Sequence, residues 1–140
     1  MADKVALDFL EIRRRLRLCA LPEVDRVVGI GSGGIVPASL VAYQLGKPLT
    51  ILSINYRAPD NSPRYDRPQL LHEIDLSEAD QNLLLVDDVA VSGKTIALAK
   101  QLLANRHITT LVMKGQADIV LFPEVAQCVL WPWRQAAEPP

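Results

Sequence analysis

Residues 83–95 read Leu83-Leu84-Leu85-Val86-Asp87-Asp88-Val89-Ala90-Val91-Ser92-Gly93-Lys94-Thr95, and they constrain the fold more than any other stretch. Four large apolar residues in a row cannot alternate between a core and a wet face. They predict a strand covered on both sides, lying inside a mostly parallel sheet. Two adjacent carboxylates stand at its C-terminal end, where they are expected to face solvent. Ligands of open α/β sheets bind beyond the C-terminal ends of the strands. A loop of small residues follows, then a helix start. Such a start offers N–H groups without intrahelical partners and a positive dipole end, which suits a phosphate. Ser92 and Thr95 add hydroxyl donors, and Gly93 lets the backbone come close to an anion. Two carboxylates beside a phosphate would repel it unless they bind something that bridges. Ribose hydroxyls and hydrated Mg²⁺ can both do so.

The rest of the chain alternates helices and strands, which predicts an α/β fold with helices on both faces of the sheet. In residues 2–20, Val5, Phe9, Ile12, Leu16 and Cys19 recur at steps of three and four, as in an amphipathic helix. Arg13, Arg14, Arg15 and Arg17 on it read as a solvated face rather than a phosphate patch. Residues 26–30 form a short buried strand running into glycines. Ile35–Leu45 is a helix stopped by Gly46, and Leu49–Asn55 a strand. Residues 56–68 carry Pro59, Pro63 and Pro68 among Arg57, Asp60, Arg64 and Arg67, the composition of a functional flap or of a disordered segment. Strands are expected at 69–74, 108–113 and 129–131, and a helix at 94–104.

Gly29-Ile30-Gly31-Ser32-Gly33-Gly34 satisfies G-x-G-x-x-G between a strand and a helix. A dinucleotide site also wants an acid at the end of the next strand, and that strand ends Ser53-Ile54-Asn55. Ser92-Gly93-Lys94-Thr95 imitates the end of a nucleoside-triphosphate loop. That loop needs a glycine where Asp88 stands, and a carboxylate cannot replace phosphate-binding N–H groups.

Composition excludes several classes. At 140 residues the chain suits one domain, expected over 1–135 with 136–140 as a disordered tail. The formal net charge of -1 gives no global field for nucleic acid or membrane. No apolar run approaches the ~20 residues that span a bilayer, and the N-terminus has no signal-peptide pattern. Cys19 and Cys128 have no metal-ligand spacing and read as reduced, partly buried thiols of a cytosolic protein. His72 and His107 are isolated and make no metal site. His107 is expected just past a helix end.

The acid-pair segment resembles the phosphoribosyl pyrophosphate motif of type I phosphoribosyltransferases. The resemblance implies that Asp87 and Asp88 hold the ribose 2- and 3-hydroxyls, directly or through Mg²⁺. It implies that Ala90, Val91, Ser92, Gly93, Lys94 and Thr95 cradle the 5-phosphate. Gly31-Ser32-Gly33-Gly34 would bind pyrophosphate and its metal through backbone N–H groups. The stretch from Gly33 to Gly46 looks like that of xanthine-guanine enzymes and their relatives. Asn55-Tyr56 stands where these place a Ser-Tyr pair before a flexible catalytic loop. Lys114 matches a lysine that contacts the exocyclic oxygen of a 6-oxopurine, and Pro132-Trp133 matches a C-terminal Pro-Trp. By the same resemblance, over residues 27–133, the chain is a type I phosphoribosyltransferase-like α/β domain with a small hood. Its partners would be phosphoribosyl pyrophosphate and a nucleobase, its assembly a homodimer, and its setting cytoplasmic nucleotide salvage.

The departures bear on function. Val91 stands where purine enzymes of the group often carry an aspartate facing the ribosylated nitrogen, and valine moves no proton. Ser32 stands where the pyrophosphate loop usually has a cation, and Arg57, Arg64 or Arg67 of the flap could replace it. The base-stacking tryptophan falls at Cys128, while Trp131 and Trp133 read as buried structural residues. These departures keep a second reading open, a module that senses phosphoribosyl pyrophosphate or a nucleotide without turnover.

Overall fold

The computed structural model describes residues 4–55, 69–70, 74 and 76–134. The elements in chain order are β1 (Val5–Ala6), α1 (Phe9–Leu18), β2 (Arg26–Gly31), α2 (Ile35–Leu45), β3 (Leu49–Asn55), β4 (Gln69–Leu70), β5 (Asn82–Ala90), α3 (Lys94–Leu102), β6 (His107–Gly115), β7 (Ile119–Val120) and β8 (Val129–Leu130). The main sheet runs β4-β3-β2-β5-β6-β7. Five of its strands are parallel, and β4 adds to the β3 edge antiparallel. A separate parallel pair joins β1 to β8, Val5 opposite Val129.

Strand β5 lies inside the sheet, as its apolar run requires, and every side chain from Leu83 to Asp88 is buried. Alternation along the strands sorts the core into two layers. Leu84 and Val86 pack with Val27, Leu111 and Met113 under Ile12 and Leu16 of α1 and Ala38, Val41 and Ala42 of α2. Leu83 and Leu85 pack with Val28, Ile30 and Leu52 under Ala99 and Leu103 on the α3 side. Fully burying one Leu or Val contributes ~1.5–3 kcal/mol, so β5 is the main anchor of both layers.

Several elements differ from the sequence expectation in their bounds. Helix α1 begins at Phe9 rather than near residue 2, because the Asp8 carboxylate caps it by accepting from Glu11 N at 2.9 Å. The residues before that cap extend along β8 instead. Helix α2 occupies Ile35–Leu45 as expected, and Gly46 closes it at φ 65°. Helix α3 ends at Leu102, and His107 opens β6 rather than trailing a helix. Within 69–74, only Gln69–Leu70 forms a strand among the described residues. Arg13, Arg14 and Arg17 are exposed, as expected of a solvated face. Arg15 instead ties α1 to the chain after β7, over the Phe122 ring at 4.6 Å, paired with Glu124 and donating to Leu121 O at 2.8 Å. Cys19 is partly buried, whereas Cys128 is exposed. The flap 56–68 with Tyr56 and its arginines, His72 and the tail 136–140 lie outside the described residues.

A candidate ligand crevice between β2 and β5

The register of the sheet opens a crevice at one point. β2 pairs with β5 from Arg26–Leu83 up to Gly29–Val86, but continues beside β3 as far as Gly31–Ser53. Beyond Gly29 and Val86 the two central strands therefore part. From β2 the chain turns to α2 on one face, and from β5 to α3 on the other. That reversal of direction is where ligands enter open α/β sheets. It places the glycine turn 31–34 against the acid pair.

The contact between these two motifs is close enough to explain the glycines. A Cβ on Gly34 would stand 2.6 Å from Ile30 O, 2.7 Å from Val86 O and 3.0 Å from the Cα of Asp87. A Cβ on Gly33 would stand 2.6 and 2.7 Å from the two carboxylate oxygens of Asp88. A side chain at Gly34 would push the turn off β5, whereas one at Gly33 would displace the Asp88 carboxylate. The Gly34 N–H donates to Ile30 O at 2.7 Å and Ala38 N–H to Gly34 O at 2.9 Å, so the turn leads directly into α2. Ser32 at its tip is exposed.

The acid pair corrects one expectation: Asp87 and Asp88 do not face solvent. They are 8% and 5% exposed. β5 does not stop before them. It continues to Ala90 between β6, where Asp87 pairs with Val112, and the glycine turn on the β2 side. Asp87 Oδ1 accepts from the Asp88 N–H and Asp88 Oδ1 from the Val89 N–H, each at 2.8 Å. Burial, and then the neighbouring Asp88 charge, lift the Asp87 carboxyl well above the usual carboxylate range, to about 8.

The loop after β5 lies at the surface. Ala90 is buried, its O accepting from Gln116 N–H at 3.0 Å, with Gly115 tucked beside it at φ 116°. A Cβ on Gly115 would overlap the Ala90 carbonyl. Val91 is 84% exposed, and Ser92 and Lys94 are exposed. Gly93 at φ 78° turns the chain into α3; it has no side chain to cap the helix, and the Lys94 N–H donates to Ser92 Oγ at 3.4 Å, so the helix start lies beside the 90–93 loop. Thr95 is half-buried in that turn. Lys114 stands opposite Val89 in the β5–β6 register, its ammonium 3.4 Å from Ala126 O. The structure thus sets Gly33 and Gly34 against Asp88 and Asp87, with Ser32 next in the turn and the 90–95 loop next along the chain, and places Lys114 on the adjoining strand. Tyr56 falls outside the described residues.

One site residue has no counterpart in the sequence reading. Arg134 Nε stands 3.0 Å from Asp88 Oδ2. The aromatic segment before it is fixed in place. Trp131 is buried against Phe122 and stacks on Trp133 with centroids 5.2 Å apart, while Trp133 also meets Phe9. These tryptophans are structural, as expected, although the Trp133 indole N–H is buried with no acceptor among the described residues. The available signal for Arg134 was its place directly after Pro132-Trp133, a charged residue at the end of a matched motif.

Comparison with known proteins agrees with this geometry. The phosphoribosyl transferase domain profile matches residues 15–131. Xanthine-guanine phosphoribosyltransferase of Cereibacter sphaeroides is 29% identical over 121 residues, covering 80% of this chain and 70% of that protein. A purine phosphoribosyltransferase of Pyrococcus horikoshii superposes with a TM-score of 0.76 at 21% identity, covering 93% of each chain. A hypothetical protein of Neisseria gonorrhoeae with bound ppGpp superposes with a TM-score of 0.72 at 21% identity, covering 98% of this chain and 92% of that one. At that identity the two structures speak for the fold alone.

Proposed function

The chain belongs to the phosphoribosyl transferase domain family, and we propose that it transfers the 5-phosphoribosyl group of phosphoribosyl pyrophosphate to a purine-type nucleobase, releasing pyrophosphate. The β2–β5 crevice carries this reading. There a glycine turn packs against two buried carboxylates, and the strand that carries them runs on into the loop and start of α3. Those groups correspond to the parts of the donor: diphosphate, ribose diol and 5-phosphate.

Each group has a task that its chemistry allows. Asp87 and Asp88 accept from the ribose 2- and 3-hydroxyls. The loop from Ala90 to Thr95, with Val91, Ser92, Gly93 and Lys94, surrounds the 5-phosphate with N–H and hydroxyl donors. Ser32 and Gly33 approach the diphosphate through backbone. Lys114 donates to an exocyclic oxygen of the base. Bond breaking at C1 develops positive charge on the sugar, which buried carboxylates favour electrostatically. Positioning supplies much of the remainder.

Magnesium fits the donor set. Two hard oxygen donors are adjacent, and burial, then the Asp88 charge, disfavours the ionised form of Asp87, a penalty that a bound divalent cation relieves. Asp87 and Asp88 would hold it. When bound, Mg²⁺ neutralises charge on the diphosphate leaving group.

The test is pyrophosphate release from phosphoribosyl pyrophosphate with a panel of purine and pyrimidine bases, beside calorimetry of donor binding. Release with a 6-oxopurine is expected, slowed by the absence of a proton-transfer group at Val91. A second reading, nucleotide sensing without turnover, is supported by Val91, by the uncharged Ser32 and by the ppGpp-bound structural neighbour. Binding of the donor or of ppGpp with no release on any base would favour it. The proposal extends to a single domain over 1–135 that works as a cytoplasmic homodimer in nucleotide salvage. Light scattering checks the dimer.

A further inference from the structure

The glycine turn 31–34 has no cationic side chain, and Arg134 reaches over it from another part of the fold. Its Nε stands 3.0 Å from Asp88 Oδ2, and a Cβ built on Gly33 would fall 2.5 Å from its Nη2. The guanidinium therefore lies at the junction of the turn and the acid pair. Its side chain is 59% exposed, while that of Asp88 is 8% exposed. One edge thus faces the buried carboxylate, and much of the remainder is open to solvent beside Gly33. The backbone behind it is set by the Trp131–Trp133 stack and by Arg134 N–H donating to Trp131 O at 3.1 Å. A guanidinium carries five N–H donors in a planar fork, so one carboxylate contact leaves donors for a second anion.

We propose that Arg134 is the cationic arm of the diphosphate subsite. It neutralises Asp88 in the free protein and donates to the diphosphate oxygens of bound phosphoribosyl pyrophosphate. This rests on reading the crevice as the phosphoribosyl pyrophosphate site and adds a residue that its loop lacks. A bare crevice with two carboxylates and no cation would repel a diphosphate. Arg134 offsets part of that negative charge beside the glycine turn.

Calorimetry on the full chain tests the assignment with three probes, Mg²⁺-pyrophosphate, Mg²⁺-phosphoribosyl pyrophosphate and ribose 5-phosphate. Arg134→Gln is expected to weaken both diphosphate ligands by about ten- to a hundredfold, the usual weight of a charge-assisted contact, and to leave ribose 5-phosphate unchanged. Arg134→Lys should recover part of the loss, keeping the charge without the fork. Equal affinity of wild type and Arg134→Gln for pyrophosphate overturns the inference alone. So does an equal loss for ribose 5-phosphate, which marks general distortion of the crevice. A wild type that binds none of the three overturns the site reading and the inference together.

Discussion

Asp80 and the Asp87–Asp88 pair are buried carboxylates at opposite ends of β5, and the protein surrounds them differently. Asp80 Oδ2 accepts from the N–H and hydroxyl of Ser77 at 3.1 and 3.3 Å and lies 3.1 Å from Arg26 Nε. Arg106 donates to the Asp80 carbonyl at 2.8 Å. Nearby Asp25 accepts from the N–H groups of Asn82 and Gln81, and the Asn82 bond first of all holds its carboxyl below the usual range. At the far end, Asp87 and Asp88 accept from the next residues' N–H groups and repel one another, and the cation beside them, Arg134 on Asp88, is more than half exposed. A buried charge with its own donors and cation builds the fold. Two buried carboxylates held side by side, offset by an exposed arginine, suit a partner from outside the chain.

The largest effect should separate the two ends by ligand affinity. Asp88→Asn is expected to weaken Mg²⁺-phosphoribosyl pyrophosphate binding at least ~100-fold, about 2.7 kcal/mol. Asn cannot supply the negative charge that a cation and a ribose diol require. Asp80→Asn, in material that remains folded, should bind close to wild type. Calorimetry of both variants decides it. Equal losses would mean that the crevice has no special claim on the ligand.

Stability should move in opposite directions. Asp80→Asn leaves Arg26 without its carboxylate and is expected to cost about 2 kcal/mol in urea unfolding at neutral pH. Asp87→Asn removes the cost of keeping that carboxyl protonated in the folded state, and should stabilise by about 1 kcal/mol at neutral pH in metal-free buffer. A destabilised Asp87→Asn would show that the pair contributes to holding β5 rather than straining it.

What the sequence made legible follows from how local each signal is. Helix α2 came out at its true bounds because Gly46 and an apolar run mark it from within. β5 was placed inside the sheet because no one-sided strand carries Leu83 to Val86 unbroken. The burial of Asp87 and Asp88 was not legible, since it depends on β6 continuing to Gly115 and on Gly33 and Gly34 pressing against the pair. β1 was read as helix because Val5 fits the helical spacing, and only its pairing with Val129 decides otherwise. β7 is two residues long, too short for any periodicity. Arg134 is joined to Asp88 purely by tertiary structure, so no local pattern could pair them.

The smallest effect is a difference in pH profile, and it tests the comparison group by group. The folded-state pKa of Asp87 is raised, to about 8. Between about pH 4 and 8 the folded protein therefore keeps a proton that the unfolded chain releases, and stability falls as pH rises through that window. Asp25 is lowered, so its contribution is present above the ordinary carboxylate pKa and is lost as pH falls below it. Asp25 lies at the surface, so its contribution is small and shrinks with added salt. In metal-free urea titrations, Asp87→Asn and wild type should be nearly equal at about pH 4. The variant should pull ahead as pH approaches 8, by a fraction of a kcal/mol per pH unit because the two carboxylates titrate as a pair. Asp25→Asn should trail wild type at neutral pH and draw level with it in acid. If both variants track wild type in parallel across the range, the two ends of β5 do not differ electrostatically and the contrast between them fails.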